Sequence, residues 1–304
     1  MNVMLRTDRL AKKFGRVEAL NSLTLEVPEG SVFALVGPNG AGKTTAMKIC
    51  LNMLRPSSGI ATVLGVDSRK LAPEQLARIG YVSETRQLPE WMKVSRFLAY
   101  CKEFYPAWND ADAAEFVRAY ELPLDRPLKS LSRGQRVKAA LAASLAYHPS
   151  LLFLDEPFSN LDVLVRDQLI ETIIGAGSET TVFLASHDLA EIESFATHVA
   201  YMDQGKVQFT EEMGALSTRF RDIEVVLETA SPIPADLPAT CLNAQQAGVV
   251  IRYTDSGFDP AQHETQIRRY FPTAREVNVR AMPLRAIFVA LAKSAKTLRS
   301  GEGS

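Results

Sequence analysis

The chain has few of the residues that mark secreted, membrane-spanning or nucleic-acid-coating proteins. It holds only three cysteines in 304 residues, Cys50, Cys101 and Cys241, and they lie far apart. Neither a disulfide framework nor a zinc site is therefore predicted, and a reducing cytoplasm fits. No apolar run approaches the roughly 18 residues that cross a bilayer, and the segment 1–9 is charged too early for a signal peptide. The 34 basic and 35 acidic residues leave a net charge of −1, so the excess of positive charge that nucleic acids favour is missing.

The most informative stretch present is residues 37–44, which fit the P-loop pattern Gly-x-x-x-x-Gly-Lys-Thr. An apolar run (31–36) precedes it and apolar residues at helical spacing (45–54) follow it, which is the strand–turn–helix context that the motif requires. Backbone N–H groups of such a loop converge on phosphate, and the helix start adds its positive dipole end. An ordinary glycine-rich turn is the alternative. The predicted nucleotide-binding residues are Gly37, Pro38, Asn39, Gly40, Ala41, Gly42, Lys43, Thr44 and Thr45.

Two further apolar runs end in polar groups. Residues 151–154 lead into Asp155 and Glu156; buried carboxylates are costly, and a magnesium–nucleotide complex would explain them. Asp155 is then predicted to hold the metal shell together with Thr44, and Glu156 to orient the water that attacks the γ-phosphate. Residues 181–186 lead into His187, which would contact the same phosphate and water. A polar turn and a structural histidine are the alternatives.

A second helix start carries a phosphate-binding pattern. Ser132 and the backbone N–H of Gly134 precede an apolar helix, and an ordinary N-cap is the alternative. A single nucleotide needs only one such start, so the second is expected to serve ATP held by another copy of the chain. With these motifs in this order, residues 1–215 closely resemble the ATPase subunit of ABC transporters.

The resemblance implies roles for several further residues. Phe14 matches the aromatic position that stacks on adenine, Gln135 completes the signature motif with Ser132 and Gly134, and residues 159–162 match the D-loop at a dimer interface. Glu84 stands in the Q-loop where glutamine is usual, and its carboxylate can still ligate Mg²⁺. The implied fold is an α/β P-loop NTPase over residues 1–220, with a helical subdomain at about 86–148.

An aromatic-rich stretch and a second domain complete the prediction. Most aromatic residues at 88–108 are expected to lie in a core, and Trp91 and Met92 are the candidates for a groove that receives a helix of a membrane partner, although a core position is favoured for each of them. Residues 221–304 carry no motif of the family. Strands at 223–227, 248–253 and 275–279, with helices at 260–270 and 284–292, predict a small α+β accessory domain.

The predicted function is ATP hydrolysis in a homodimer that holds two ATP–Mg²⁺ between the P-loop of one subunit and the signature motif of the other. Family resemblance implies a separately encoded membrane permease, export of its substrate, and a peripheral position on the cytoplasmic face of the membrane. The pattern of residues 104–108 with 131–134 is similar to ATPases encoded beside GntR-type repressors. The alternative is a non-transport ABC ATPase that acts on nucleic acid or the ribosome, but direct nucleic-acid binding is not expected.

Overall fold

The computed structural model describes residues 2–83, 88–177 and 179–301. The chain divides into two compact units, Met1–Thr210 and Glu211–Ser304, which are described separately. The domain limit at residue 220 and the helical subdomain at about 86–148 stay predictions.

The first unit contains two sheets and the helices that connect their strands. Its strands are β1 (Val3–Phe14), β2 (Val17–Pro28), β3 (Val32–Val36), β4 (Ser58–Val63), β5 (Val66–Asp67), β6 (Ile79–Ser83), β7 (Leu151–Asp155), β8 (Thr181–Ser186), β9 (His198–Asp203) and β10 (Lys206–Glu212). Its helices are α1 (Lys43–Cys50), α2 (Pro73–Leu76), α3 (Val94–Lys102), α4 (Asp110–Ala119), α5 (Arg133–Leu145) and α6 (Val163–Ala176). One sheet has the order β2-β1-β4-β5 and the other β10-β9-β3-β8-β7-β6.

The larger sheet is built on parallel strands that are buried on both faces. The strands β6, β7, β8, β3 and β9 pair in parallel, and every residue of β3, β7 and β8 is buried. Phe153, Phe183 and Phe33 occupy matched register positions on neighbouring strands, and the ring centroids of successive pairs lie 5.7 and 5.9 Å apart. This continuous apolar character is typical of central parallel strands, and it confirms the strands predicted at 31–36, 151–154 and 181–186.

A single hydrophobic cluster joins the two sheets to α1. Leu10 and Leu20 contribute from the antiparallel sheet, Phe33 and Phe153 from the parallel sheet, and Met47 from α1. The P-loop helix is therefore anchored by its apolar face, which holds the glycine loop before it at a fixed place above the parallel sheet.

The second unit is an α+β domain. It contains α7 (Met213–Arg219), β11 (Arg221–Leu227), β12 (Cys241–Ala247), β13 (Val250–Asp255), α8 (Pro260–Tyr270), β14 (Ala274–Ala281) and α9 (Leu284–Gly301). The sheet order is β12-β13-β11-β14, with antiparallel neighbours. The β13–α8–β14 unit is a split crossover in which β11 lies between the two strands that α8 connects.

The two faces of this sheet are filled differently. On one face, alternate residues of β11 and β13, including Ile223, Val225 and Ile251, form a core with Ile267 and Phe271 of the α8 region. The opposite face of the sheet meets α9, which packs against β12.

Candidate nucleotide-binding and hydrolysis site

The candidate site lies where parallel strands end on one line. Val36, the last residue of β3, pairs in register with Ser186 of β8, and Asp155 of β7 pairs with Ala185 and with Ser83 of β6. The residues that follow these ends therefore meet at one edge of the sheet, where open α/β sheets place their ligands. Glu84 follows Ser83 in the sequence but lies outside the described residues, so its predicted metal-binding role stays a prediction.

The glycines of the P-loop are required by close backbone approach. A Cβ atom on Gly37 would lie 2.0 Å from the Met202 carbonyl oxygen, and one on Gly42 would lie 2.4 Å from the Ala19 carbonyl oxygen. Gly40 and Gly42 also have φ of 81° and 109°, in the region that favours glycine. Gly42 is the N-cap of α1, and no side chain in the described part of the chain caps this helix. The first N–H groups of α1 thus face the loop, as an anion site requires.

Lys43 is buried at the centre of the loop. Its side chain is 5% exposed, and its Nζ donates to the Gly37 carbonyl at 2.7 Å and to the Pro38 carbonyl at 3.3 Å. The third partner of Nζ is Glu156, with the Oε1 atom 3.1 Å away. An ammonium has three donors, so the loop and one carboxylate together satisfy this buried charge.

Thr44 and Asp155 form the second contact across the site. The Thr44 hydroxyl donates to Asp155 Oδ1 at 2.8 Å. Burial raises the pKa of the Asp155 carboxyl, and the hydrogen bond from Thr44 opposes that rise. The hydrogen bond from Thr44 offsets the cost of burying the Asp155 carboxylate only in part, so a divalent cation beside it would be favourable.

Glu156 connects the loop to His187. Its Oε2 atom lies 2.7 Å from His187 Nδ1, so the carboxylate bridges a lysine and a histidine. The hydrogen bond to Glu156 raises the pKa of His187. Glu156 has φ of 53°, a left-handed conformation that costs a residue with a side chain about 1–2 kcal/mol. That turn separates Asp155, which faces Thr44, from its neighbour Glu156, which faces Lys43.

A further carboxylate at this edge escaped the sequence analysis. Glu191 Oε2 accepts a hydrogen bond from the Ser186 hydroxyl at 3.1 Å, and Arg166 lies 3.8 Å from its other oxygen. Burial raises the pKa of Glu191. Glu191 follows His187 by four residues, and that short spacing after a buried strand is the one signal that could have indicated it. Its contact with Ser186 fixes the strand end that carries His187.

The signature residues form a capping box at the start of α5. Ser132 Oγ accepts from Gln135 N–H at 3.2 Å, and Gln135 Oε1 accepts from Ser132 N–H at 3.1 Å. Gly134 is buried, and a Cβ atom there would lie 2.9 Å from Val165 Cγ1 of α6. The structure thus gives this motif a local structural role. These two hydrogen bonds lie within the motif. By contrast, Glu156 contacts both Lys43 and His187, and Thr44 contacts Asp155.

The aromatic candidates differ in exposure. Phe14 ends β1 as an exposed ring, and Lys12 Nζ lies over it, 5.0 Å from the ring centroid. Trp91 is 69% exposed, whereas Met92 is 6% exposed. Met92 therefore occupies the core position that the sequence favoured, whereas Trp91 reaches the surface.

A glycine loop between a buried parallel strand and a helix, with a lysine at its centre and a hydroxyl–carboxylate pair beside it, defines a P-loop nucleoside triphosphatase. The family model described as ABC transporter matches residues 20–159. The chain is 32% identical to the daunorubicin resistance ATP-binding protein DrrA2 of Streptomyces coeruleorubidus over 281 residues, which cover 90% of this chain and 83% of that protein. It is also 32% identical to the lantibiotic transport ATP-binding protein SrtF of Streptococcus pyogenes, over 69% of this chain and 91% of that protein.

Among solved structures, the fold is similar to a dimeric ATP-binding cassette in a post-hydrolysis state with ADP and phosphate. The TM-score is 0.62 at 22% identity, over 69% of this chain and 99% of that one. The chain belongs to the ABC transporter ATPase family. The match to DrrA2 covers 90% of this chain, so it extends beyond residue 215, where the resemblance was predicted to end. It therefore includes much of the second unit. These relatives favour a transport ATPase over one that acts on nucleic acid or the ribosome.

Proposed function

We propose that the chain hydrolyses ATP with Mg²⁺ as a homodimer and thereby powers export through a separately encoded membrane permease. The observation that carries the hydrolytic part is the bridge of Glu156 between Lys43 and His187 at 3.1 and 2.7 Å. It places a base, a cation and a titratable ring at the edge where the P-loop begins. The names of the relatives in drug resistance and lantibiotic transport support the transport role.

In this proposal the P-loop holds the triphosphate. The uncapped N–H groups at the start of α1 bind phosphate oxygens. Lys43 exchanges its bond to Glu156 for the β- and γ-phosphates, since a phosphate carries more negative charge than a carboxylate. The exposed ring of Phe14 stacks on adenine.

Thr44 and Asp155 fit a magnesium site. Oxygen donors suit Mg²⁺, which retains several waters and binds substrate phosphates. In the described part of the chain no group of three or more His, Cys, Asp or Glu side chains could hold a metal, and a site completed by substrate oxygens needs none. Bound there, the ion would neutralise charge on the phosphates. Asp155 would hold the Thr44 hydroxyl in place and accept hydrogen bonds from the waters.

Glu156 and His187 act on the attacking water. Once Lys43 turns to phosphate, Glu156 is free to accept a proton from the water as general base. His187 lies on its other side and, because its pKa is raised by Glu156, it carries a proton over a wider pH range than a free histidine. It donates that proton in a hydrogen bond to the γ-phosphate and orients the water.

Each active site is completed by the second copy. Ser132, Gly134 and Gln135 at the start of α5 supply the second phosphate-binding helix start, turned toward the ATP of the other subunit. Val163 and Leu164 are exposed apolar residues that follow the D-loop, and they supply apolar area for this contact. ATP stabilises the closed dimer because it contacts both faces, and hydrolysis removes that stabilisation.

A membrane partner has an apolar surface available. Tyr100 and Phe104 are exposed and pack together with ring centroids 5.0 Å apart, and Trp91 is exposed as well. None of the helices in residues 2–83, 88–177 and 179–301 is long and apolar enough to cross a bilayer. We place the permease helix on these aromatic rings and the chain on the cytoplasmic face of the membrane.

Two experiments test this proposal. Lys43→Ala should abolish tight ATP binding in calorimetry, while the matched loss of an exposed charge, Lys206→Ala, should leave it unchanged; equal affinity of both variants would remove Lys43 from the site.

For the transport role, we expect the chain to sediment with membranes that contain the membrane protein encoded beside it. The double variant Trp91→Ala/Tyr100→Ala should lose that sedimentation and keep basal ATP hydrolysis. Sedimentation equal to that of the unmodified chain would refute the docking surface.

A further inference from the structure

One edge of the sheet in the second unit has no neighbouring strand among the residues that the structure describes. β14 comes last in the order β12-β13-β11-β14, so it pairs on its inner edge with β11 alone. Within the same described residues, the outward backbone groups of residues 275–281 make no hydrogen bond. Such an edge is a template for another strand, which proteins usually block with charges, prolines or bulges.

The outer edge of β14 is regular. Residues 276–281 of this strand pair with residues 221–226 of β11 without a shift in register. The strand at the other edge of the sheet differs, because β12 has a register shift between Leu242 and Gln245. Such a bulge interrupts the ladder of hydrogen bonds. β14 is therefore the edge that offers a continuous ladder to a further strand.

The side chains along β14 alternate between an apolar and a polar face. Val277 and Val279 lie beside core residues of β11, on the face that packs against α8. Glu276, Asn278 and Arg280 lie on the opposite face, where Asn278 Nδ2 donates to Glu276 Oε1 at 3.1 Å. Glu276 and Val279 are exposed, and the Arg280 side chain is 63% exposed. These side chains are therefore accessible to a strand that adds to the edge.

Arg280 has only a weak partner within its own unit. Its guanidinium lies 4.0 Å from Glu224, and the carboxylate of Glu224 already pairs with Arg252. The exposed charge of Arg280 is therefore available to a carboxylate on an added strand.

The residues 276–280 are complementary to themselves in the reverse direction. When two copies of β14 run antiparallel about a two-fold axis at Asn278, Glu276 of each copy faces Arg280 of the other. Val277 of each copy then faces Val279 of the other. Opposite charges and β-branched side chains directly across an antiparallel ladder stabilise the pairing.

The charges allow one register and oppose the alternatives. A shift by two residues places Glu276 opposite Asn278 or Met282 and loses both ion pairs. A shift by one residue places the apolar side chains of one copy beside the polar face of the other. Parallel pairing in register places Glu276 beside Glu276 and Arg280 beside Arg280, and like charges directly opposite are unfavourable.

We propose that β14 pairs antiparallel with β14 of a second copy of this chain, about an axis at Asn278, so that the two four-stranded sheets become continuous. The partner is a second copy because the sequence that complements this edge is the edge itself. A two-fold contact of this kind closes on itself and does not extend into a fibre. It needs no nucleotide, so it keeps two chains associated when the ATP-dependent contact is open.

The first test is sedimentation velocity of the full-length Lys43→Ala chain without nucleotide, at concentrations up to about 100 µM because one strand pair is a small, weak interface. This background removes the ATP-dependent dimer of the proposed function, so failure of that dimer and failure of the β14 contact are measured separately. We expect a dimer whose fraction rises with concentration. A chain that stays monomeric throughout this range would overturn the proposal.

Charge variants in the same background test the register. Glu276→Arg creates two like-charge pairs and should raise the dissociation constant of the dimer by about tenfold or more. Glu276→Arg/Arg280→Glu exchanges the charges and should recover the parent value within about threefold. The control Asp236→Arg makes the same change at an exposed loop position and should dimerise like the parent. A double variant with an unchanged near-ultraviolet circular dichroism spectrum that dimerises no better than Glu276→Arg would refute the pairing.

A cysteine at the proposed axis measures the register directly. In a chain with Cys101→Ser and Cys241→Ser, Asn278→Cys opposes two thiols on strands whose Cα atoms lie about 4.5–5.5 Å apart, which a disulfide can bridge. The control Ala281→Cys lies three residues from the axis, so its two copies are roughly 20 Å apart. On mild oxidation, non-reducing gels should show a linked dimer for Asn278→Cys only. Absence of that dimer, or equal linkage of the control, would exclude this register.

Discussion

Replacing Glu156 by glutamine tests the hydrolytic mechanism most directly. Glutamine keeps the shape of the side chain but has neither the charge nor the basicity. Hydrolysis should fall by roughly 10²-fold or more, the contribution typical of a positioned general base. A steady-state phosphate-release assay with ATP and Mg²⁺ measures this loss.

The structure also predicts what happens to the empty site of this variant. In the unmodified chain, Lys43 forms a charge-assisted bond to Glu156 at 3.1 Å. In the variant this bond has a neutral partner, which lowers the stability by about 1 kcal/mol. The weakened contact between residue 156 and His187 contributes less to the loss of stability, since the imidazole is 42% exposed. The free energy of unfolding without nucleotide should therefore fall by about 1 kcal/mol in urea titrations. ATP restores an anionic partner for Lys43, so its affinity should rise by about fivefold.

The matched control is Glu191→Gln, which removes a carboxylate at the same sheet edge that bonds to Ser186 instead of Lys43. Its ATPase rate should stay within about tenfold of the unmodified rate. With ATP bound, Glu156→Gln should elute as a dimer in size-exclusion chromatography with light scattering. A rate loss no larger than that of the Glu191 variant would refute the base assignment, and a purely monomeric elution would refute the shared site.

Three further changes probe separate parts of the chain. Phe14→Ala should weaken ATP binding by about 1–3 kcal/mol in calorimetry and Phe14→Trp should restore it; equal affinity in Phe14→Ala would remove the ring from the site. Because the folded pKa of His187 is raised, its pairing with Glu156 stabilises the nucleotide-free protein at pH below about 6.5, and this stabilisation is lost as pH rises through the raised pKa. His187→Gln should flatten that dependence in thermal melts, and an unchanged profile would contradict the pairing. Gly134→Ala places a Cβ atom 2.9 Å from Val165 Cγ1 and should destabilise the fold by about 1–3 kcal/mol in urea titrations; failure of Val165→Ala to relieve it would exclude this contact as the cause.

The parts of the fold that the sequence predicted well are those with a strong local signal. The buried strands β3, β7 and β8 are continuous apolar runs, so their limits were within a residue of those observed. Helix α8 spans 260–270 as predicted, because Asp259 caps it and Pro260 occupies its first position. By contrast, β12 was missed, since Asn243, Gln245 and Gln246 give it little apolar alternation at the edge of its sheet.

For the candidate site, the sequence predicted the residue types but not the contacts between them. The contact of Gly134 with Val165 depends on how α5 crosses α6, which no local pattern encodes. The bridge from Lys43 through Glu156 to His187 depends on the left-handed backbone at Glu156. Met92 and Trp91 are neighbours in sequence with opposite burial, and composition does not distinguish them.

The aligned strand ends have a consequence for how this protein tolerates length changes. Since a strand advances about 3.3 Å per residue and alternates its faces, deleting one residue inside β7 would draw Asp155 back from Thr44 and reverse the side of the sheet on which it lies. Loops that join the strands can lengthen or shorten without moving these ends. We therefore expect insertions and deletions that preserve catalysis to lie in the connections other than the P-loop, because the number of residues within each strand sets the position of the catalytic side chain at its end.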